Sequence, residues 1–214
     1  QNYAAHSGSG NTNRNEDSTK WLNDNAAQYE TIEVLEKIAR RYHDSPSVWG
    51  IELLNEPAID RFGLKLARFH RRAYKRLVQV ARPGTRIIFS DAYAPLLTTN
   101  TFWLRTKKEF PVVIDCHSYQ VFGAKNKKMT FNQHVEHTTL TKYMIRILGL
   151  QQPVIVGEWS AMLPSRHTSS DTNEYAKQQI KAFSGAKAQF YWNYKTEAAG
   201  RWNYRHMIER GLLQ

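Results

Sequence analysis

Five short apolar runs punctuate the chain: "VWGIELL" (48–54), "RIIFS" (86–90), "VVIDC" (112–116), "PVIVG" (153–157) and "AQFYW" (188–192). Their β-branched and aromatic content predicts strands. Between them the apolar positions fall into helical spacing, at about 64–82, less regularly at 95–107, then at 131–149 and 172–184. Ahead of the first run, Ile32, Leu35, Ile38, Ala39 and Tyr42 form another helical stripe that ends near "HDSPS". Residues 1–20 are polar and rich in Gly, Ser and Asn, which predicts loop. Strands that are apolar on both faces and alternate with amphipathic helices imply a parallel sheet covered by helices. Right-handed crossovers then leave two solutions, a barrel or a doubly wound sheet.

The residues just beyond each run favour the barrel. Every run leads at once into polar or aromatic residues: Asn55-Glu56, Asp91, His117 with Tyr119, Glu158-Trp159, and Asn193 with Lys195. In a parallel barrel those positions share the C-terminal rim, where catalytic groups sit. No Gly-x-Gly-x-x-Gly turn comes after a strand, which argues against a dinucleotide site. The expected fold class is therefore α/β, a (β/α) barrel of the TIM type. Five strands are fewer than the eight of a closed barrel, which usually needs ~250 residues.

Composition narrows the partners. At 214 residues the chain is expected to form one domain, 1–214. Its net charge of +11 suits acidic partners. The densest basic run, Ala67 to Arg76, is threaded by Leu66, Phe69, Ala73, Leu77 and Val80 at helical spacing, so its arginines read as a solvated helix face. No nucleic-acid motif accompanies it, and no apolar stretch has the length of a membrane helix. Cys116 is the only cysteine, which excludes an internal disulfide and a cysteine-based metal cluster. His134 and His137 make an unconvincing metal pair on a polar helix. Neither a metal nor a cofactor is expected. Without an Asn-x-Ser/Thr sequon, localisation stays open.

The candidate chemistry lies in two carboxylates. Glu56, in "GIELLNEPAID", and Glu158, in "PVIVGEWS", each end an apolar run. Across a barrel mouth, two carboxyl groups suit glycosidic-bond cleavage: one gives a proton to the departing oxygen, the other attacks the anomeric carbon. A gap of about 5–5.5 Å gives retention of configuration, and a wider one inversion. Asn55 beside Glu56 suits a sugar 2-hydroxyl. A lone Glu after a strand is more often a cap or surface residue; the pair carries the functional reading. His117 and Tyr119 alone read as ordinary rim residues. Trp49, Trp159, Trp192 and Trp202 read first as core packing, although Trp192, leaving a strand into "NYK", is placed to stack on a pyranose. Cys116 reads as a buried small hydrophobe. A serine or cysteine hydrolase is disfavoured, since no Gly-x-Ser-x-Gly elbow occurs.

Together, "WGIELLNEP", "DCHSYQVF", "VIVGEWS" and "FYWNYKTE...RWNY" resemble glycoside hydrolase family 5, and most nearly its exo-β-1,3-glucanase branch. The opening "QN" and "HSGSG" resemble that family's loop after the third strand. The resemblance implies Glu56 as acid/base, Glu158 as nucleophile, Asn55 on the 2-hydroxyl, His117 and Tyr119 orienting nucleophile and sugar, and Trp192 as the floor of subsite −1. It implies a retaining hydrolase of β-1,3-glucan-like polysaccharide, with no nucleic acid or membrane partner; secretion or cell-wall association is suggested by the family alone. It also implies that this chain holds strands 4 to 8 and lacks the N-terminal part of the barrel. An upstream segment or a second copy would then be expected to cover the apolar edge at Trp49–Leu54. The rival readings are a catalytically impaired glucan-binding remnant of the fold and, more weakly, a basic nucleic-acid-associated domain.

Overall fold

The computed structural model describes residues 19–99 and 107–213. The chain divides into two compact units, 1–115 and 116–214. The expected loop at 1–20 lies outside the described residues, apart from the start of the first helix. So do residues 100–106 of the segment read as helical.

The first unit holds α1 (Thr19–Asn23), α2 (Asn25–Arg41), β1 (Gly50–Glu52), α3 (Leu64–Leu77), β2 (Arg86–Ser90), α4 (Pro95–Thr99) and most of β3 (Val112–Ser118). β1 pairs in parallel with β2, Glu52 opposite Ile88. β2 pairs in parallel with β3, Ser90 opposite Asp115. Every residue of β3 and all but the first of β2 are buried, the signature of a sheet covered on both faces. Glycine suits position 50, because a Cβ there would lie 3.0 Å from the Arg86 carbonyl oxygen of the paired strand, closer than an ordinary contact. α3 buries Leu66, Phe69, Ala73 and Leu77 and exposes Arg68, Arg71, Lys75 and Arg76, so the basic run is a solvated face, as its spacing predicts. Phe69 meets Trp21 edge-on at 4.7 Å between ring centroids.

The second unit holds α5 (Gly123–Lys128), α6 (Phe131–Gly149), β4 (Val154–Trp159), α7 (Ser169–Phe183), β5 (Gln189–Tyr191) and α8 (Tyr204–Glu209). β4 and β5 run parallel, with an irregularity between Val156 and Trp159. α6 and α7 each open on a capping box, Thr130 with Gln133 and Thr168 with Asp171. All five predicted strands are present with helices between them, and their class is the expected α/β.

Several boundaries differ from the sequence reading, each for a local reason. β1 is only three residues long, with Leu53 adding one further bond to the Ile88 carbonyl. β3 and β4 run past their apolar runs through His117 and Glu158, because strand pairing is a backbone property that polar side chains do not end. α7 begins at Ser169 rather than 172, where Thr168 supplies the cap. α3 stops at Leu77, ahead of Pro83. The α2 stripe is rotated: Ala27, Gln28, Thr31, Ile32, Leu35 and Ala39 are buried, whereas Ile38 and Tyr42 are exposed. Helices α1, α5 and α8 span five or six residues, too few for periodicity to register. No helix among the described residues is long and apolar enough to cross a membrane.

Candidate active site

In the first unit, Asn55 and Glu56 lie in the bend beyond β1. Glu56 is buried, at 7% exposure, and its backbone is left-handed, φ 44°. That region is uncommon for a non-glycine residue and costs about 1–3 kcal/mol. Pro57 comes next and offers no N–H to a ladder. Asn55 is half-buried beside it. Beyond Pro57, the Asp60 carboxylate accepts from the backbone N–H groups of Leu64 and Lys65 at 3.0 and 2.9 Å and so starts α3. The strand thus ends in a short, pinned turn, and its one buried carboxylate is Glu56.

The turn after β2 meets it. Asp91 is buried and organises that turn: its Oδ1 accepts from Tyr93 N–H at 2.9 Å, and its carbonyl accepts from Ala94 N–H at 2.9 Å and from the Thr98 hydroxyl at 2.8 Å. Ala92 and Tyr93 are both left-handed, φ 51° and 55°. This arrangement carries the Tyr93 hydroxyl to Glu56, where it donates to Oε1. Tyr93 is absent from the residues that sequence reasoning singled out. The register holds the signal: Glu52 pairs with Ile88, so Glu56, four residues on, stands level with Ala92, next to Tyr93.

In the second unit, His117, Tyr119 and Glu158 come together. Glu158 stands in β4, and His117 at the end of β3. The Tyr119 hydroxyl donates to Glu158 Oε2 at 2.9 Å, and His117 Nδ1 lies 3.6 Å from the same oxygen. The His117 side chain is 2% exposed and that of Glu158 15%, so both groups interact in a sparsely solvated setting. Hydrogen bonds to a carboxylate favour its ionised form. Trp192 comes directly after β5, the strand beside β4, and its backbone N–H donates to the Trp159 carbonyl at 2.8 Å; half of the residue is exposed. Trp159 instead packs in the core against Phe183 and Tyr191. Cys116 is buried, as expected of a small hydrophobe. Sequence reasoning passed over Phe122 and read Trp202 first as core packing; the two rings stack at 6.0 Å, and each touches Tyr119, at 5.7 and 5.8 Å. Both lie inside the motifs "DCHSYQVF" and "RWNY".

His134, read from the sequence as part of a polar helix, is a core residue, fully buried, with Nδ1 2.9 Å from Gln120 Oε1. Gln120 in turn donates to the Thr138 hydroxyl at 2.9 Å. Burial, with positive charge at His167, His137 and Arg166, pushes the His134 imidazole down to about 4, so it is neutral near pH 7.

Comparison with known proteins fixes the family. The family model for cellulase (glycosyl hydrolase family 5) matches residues 5–198. The chain belongs to glycosyl hydrolase family 5. Similar curated proteins include the probable glucan 1,3-beta-glucosidase A of Aspergillus niger, 25% identical over 86% of this chain and 53% of that protein. The glucan 1,3-beta-glucosidase of Yarrowia lipolytica is 25% identical over 92% of this chain and 56% of that protein. The chain therefore spans about half the length of the curated relatives it matches. Among solved structures, the rutinosidase from Aspergillus niger matches with a TM-score of 0.66 at 18% identity, over 91% of this chain and 60% of that one. Endo-glycoceramidase II from Rhodococcus sp. matches with a TM-score of 0.59 at 15% identity, over 87% and 44%. These likenesses extend to the fold, the parallel (β/α) class of the TIM barrel, of which the described residues form five βα units.

Proposed function

We propose that the chain carries the catalytic carboxylates of a retaining hydrolase acting on β-1,3-glucan-like polysaccharide. Glu158 is the nucleophile and Glu56 the acid/base; Asn55, His117, Tyr119 and Trp192 bind or orient the sugar. The observation that carries this reading is the convergence of Tyr119 and His117 on Glu158 Oε2. A carboxylate held by one oxygen has its plane fixed and its negative charge favoured, which is what direct attack on an anomeric carbon requires. Membership of the family and the likeness to glucan 1,3-beta-glucosidases support the substrate class.

In the first step a Glu158 oxygen bonds to the anomeric carbon, the glycosidic C–O bond breaks, and the Glu56 proton passes to the departing oxygen. In the second, Glu56 takes a proton from water, the water oxygen bonds to the same carbon, and the bond to Glu158 breaks. Two inversions give net retention.

Two variants separate the roles. Glu56→Ala should lose turnover on glucan yet retain glycosylation by a substrate with a dinitrophenolate leaving group, which needs no proton. Glu158→Ala should lose turnover on both and recover with azide, giving a glycosyl azide of inverted configuration. Equal, unrescued losses on every substrate would overturn the assignment. Laminarin binding without turnover by the unaltered chain would favour the glucan-binding remnant.

A further inference from the structure

We infer that Tyr93 is a positioning residue for Glu56, holding its carboxyl so that the transferable proton resides on Oε2. The inference rests on the acid/base reading of Glu56. Three observations within the first unit carry it. The Tyr93 hydroxyl donates to Glu56 Oε1. Glu56 is buried, so the bond operates with little competition from water. The contact is also built at conformational expense: three non-glycine residues, Glu56, Ala92 and Tyr93, sit at positive φ, and the Asp91 carboxylate pins the turn through Tyr93 N–H. Strained backbone of this kind persists where surrounding bonds over-determine it.

The chemistry depends on which oxygen is engaged. A neutral carboxyl donates through the oxygen that bears the proton and accepts best through its carbonyl oxygen. With the phenol donating to Oε1, the proton sits on Oε2, and the carboxyl plane is fixed for delivery. When Glu56 is ionised, the same phenol stabilises the carboxylate that must take a proton from water. One hydroxyl therefore serves both steps without gaining or losing a proton. Asp91, whose Oδ1 faces the Tyr93 N–H, is the other titratable group built into this turn.

The test is a carbon-13 titration of the full chain labelled at glutamate Cδ and tyrosine Cζ, with Glu56→Gln and Tyr93→Phe supplying the assignments. The Tyr93 Cζ resonance should inflect at the pH where Glu56 Cδ titrates. In Tyr93→Phe the Glu56 midpoint should rise by about one pH unit, the size expected for loss of one hydrogen bond to a charged group. Phenylalanine keeps the ring, which is about half exposed at 47%, so the fold is retained. Kinetically, Tyr93→Phe should lower kcat on glucan about tenfold with KM little changed. An unmoved Glu56 midpoint, or a Tyr93 resonance blind to Glu56, overturns the inference whether or not the chain is active. Absence of hydrolysis by the unaltered chain would instead count against the acid/base reading, and the titration would still report on the contact.

Discussion

His70 lies flat on Phe89, ring centroids 4.5 Å apart and planes 19° from parallel, at 3% exposure. Burial pushes its imidazole down to about 3. An unfolded histidine takes up a proton below about 6.5, whereas the folded one stays neutral until far lower pH. The unfolded state therefore binds more protons across that window, and stability falls as pH drops from about 6.5 toward 3. The slope is at most about 1.4 kcal/mol per pH unit per histidine, and His134 acts in the same direction down to about 4. His70→Leu should flatten the decline in urea midpoint between pH 6.5 and 4.5; an unchanged slope would contradict the account. Neither histidine could be told from a surface one by its neighbours in sequence. The candidate site residues Glu56, Glu158, His117 and Tyr119 were legible because each lies at or just beyond the end of an apolar run. Tyr93 was not, because its partner lies 37 positions away and is reached only through strand register.

At the level of elements, the helices whose apolar stripes recur over several turns, α2, α3, α6 and α7, were legible in the alternation of the sequence. Their ends were set by side-chain caps rather than by the stripes. α7 illustrates this: Thr168 accepts from Asp171 N–H at 3.1 Å, and the Asp171 carboxylate accepts from Thr168 N–H at 2.9 Å. Those bonds hold the Asp171 carboxyl below its usual range. Thr168→Ala should cost about 1 kcal/mol, read as a lower urea midpoint at pH 7. It should also return Asp171 toward an ordinary titration midpoint. No loss of stability would mean that α7 is held by packing alone. The strands were found by their apolar content, but their reach was not: β3 and β4 extend through His117 and Glu158, so both side chains are mounted on strand backbone. Rigid mounting of reacting groups favours geometric precision.

At the scale of the whole molecule, the chain is a family 5 member whose described residues form five βα units, and its two compact units each carry one of the two proposed catalytic carboxylates. The alternation of strand and helix specified the class, and the motifs at the strand ends specified the family. The central claim is that Glu158 forms a covalent bond to the sugar. The direct measurement is incubation with a 2-deoxy-2-fluoro-β-glucoside bearing a dinitrophenolate leaving group, then peptide mapping by mass spectrometry. The fluorine slows both steps while the good leaving group permits the first, so the glycosyl-enzyme accumulates. The account predicts one added fluoroglucosyl group, on Glu158 and absent in Glu158→Ala. A label on another residue, or turnover with inversion and no label, would contradict it.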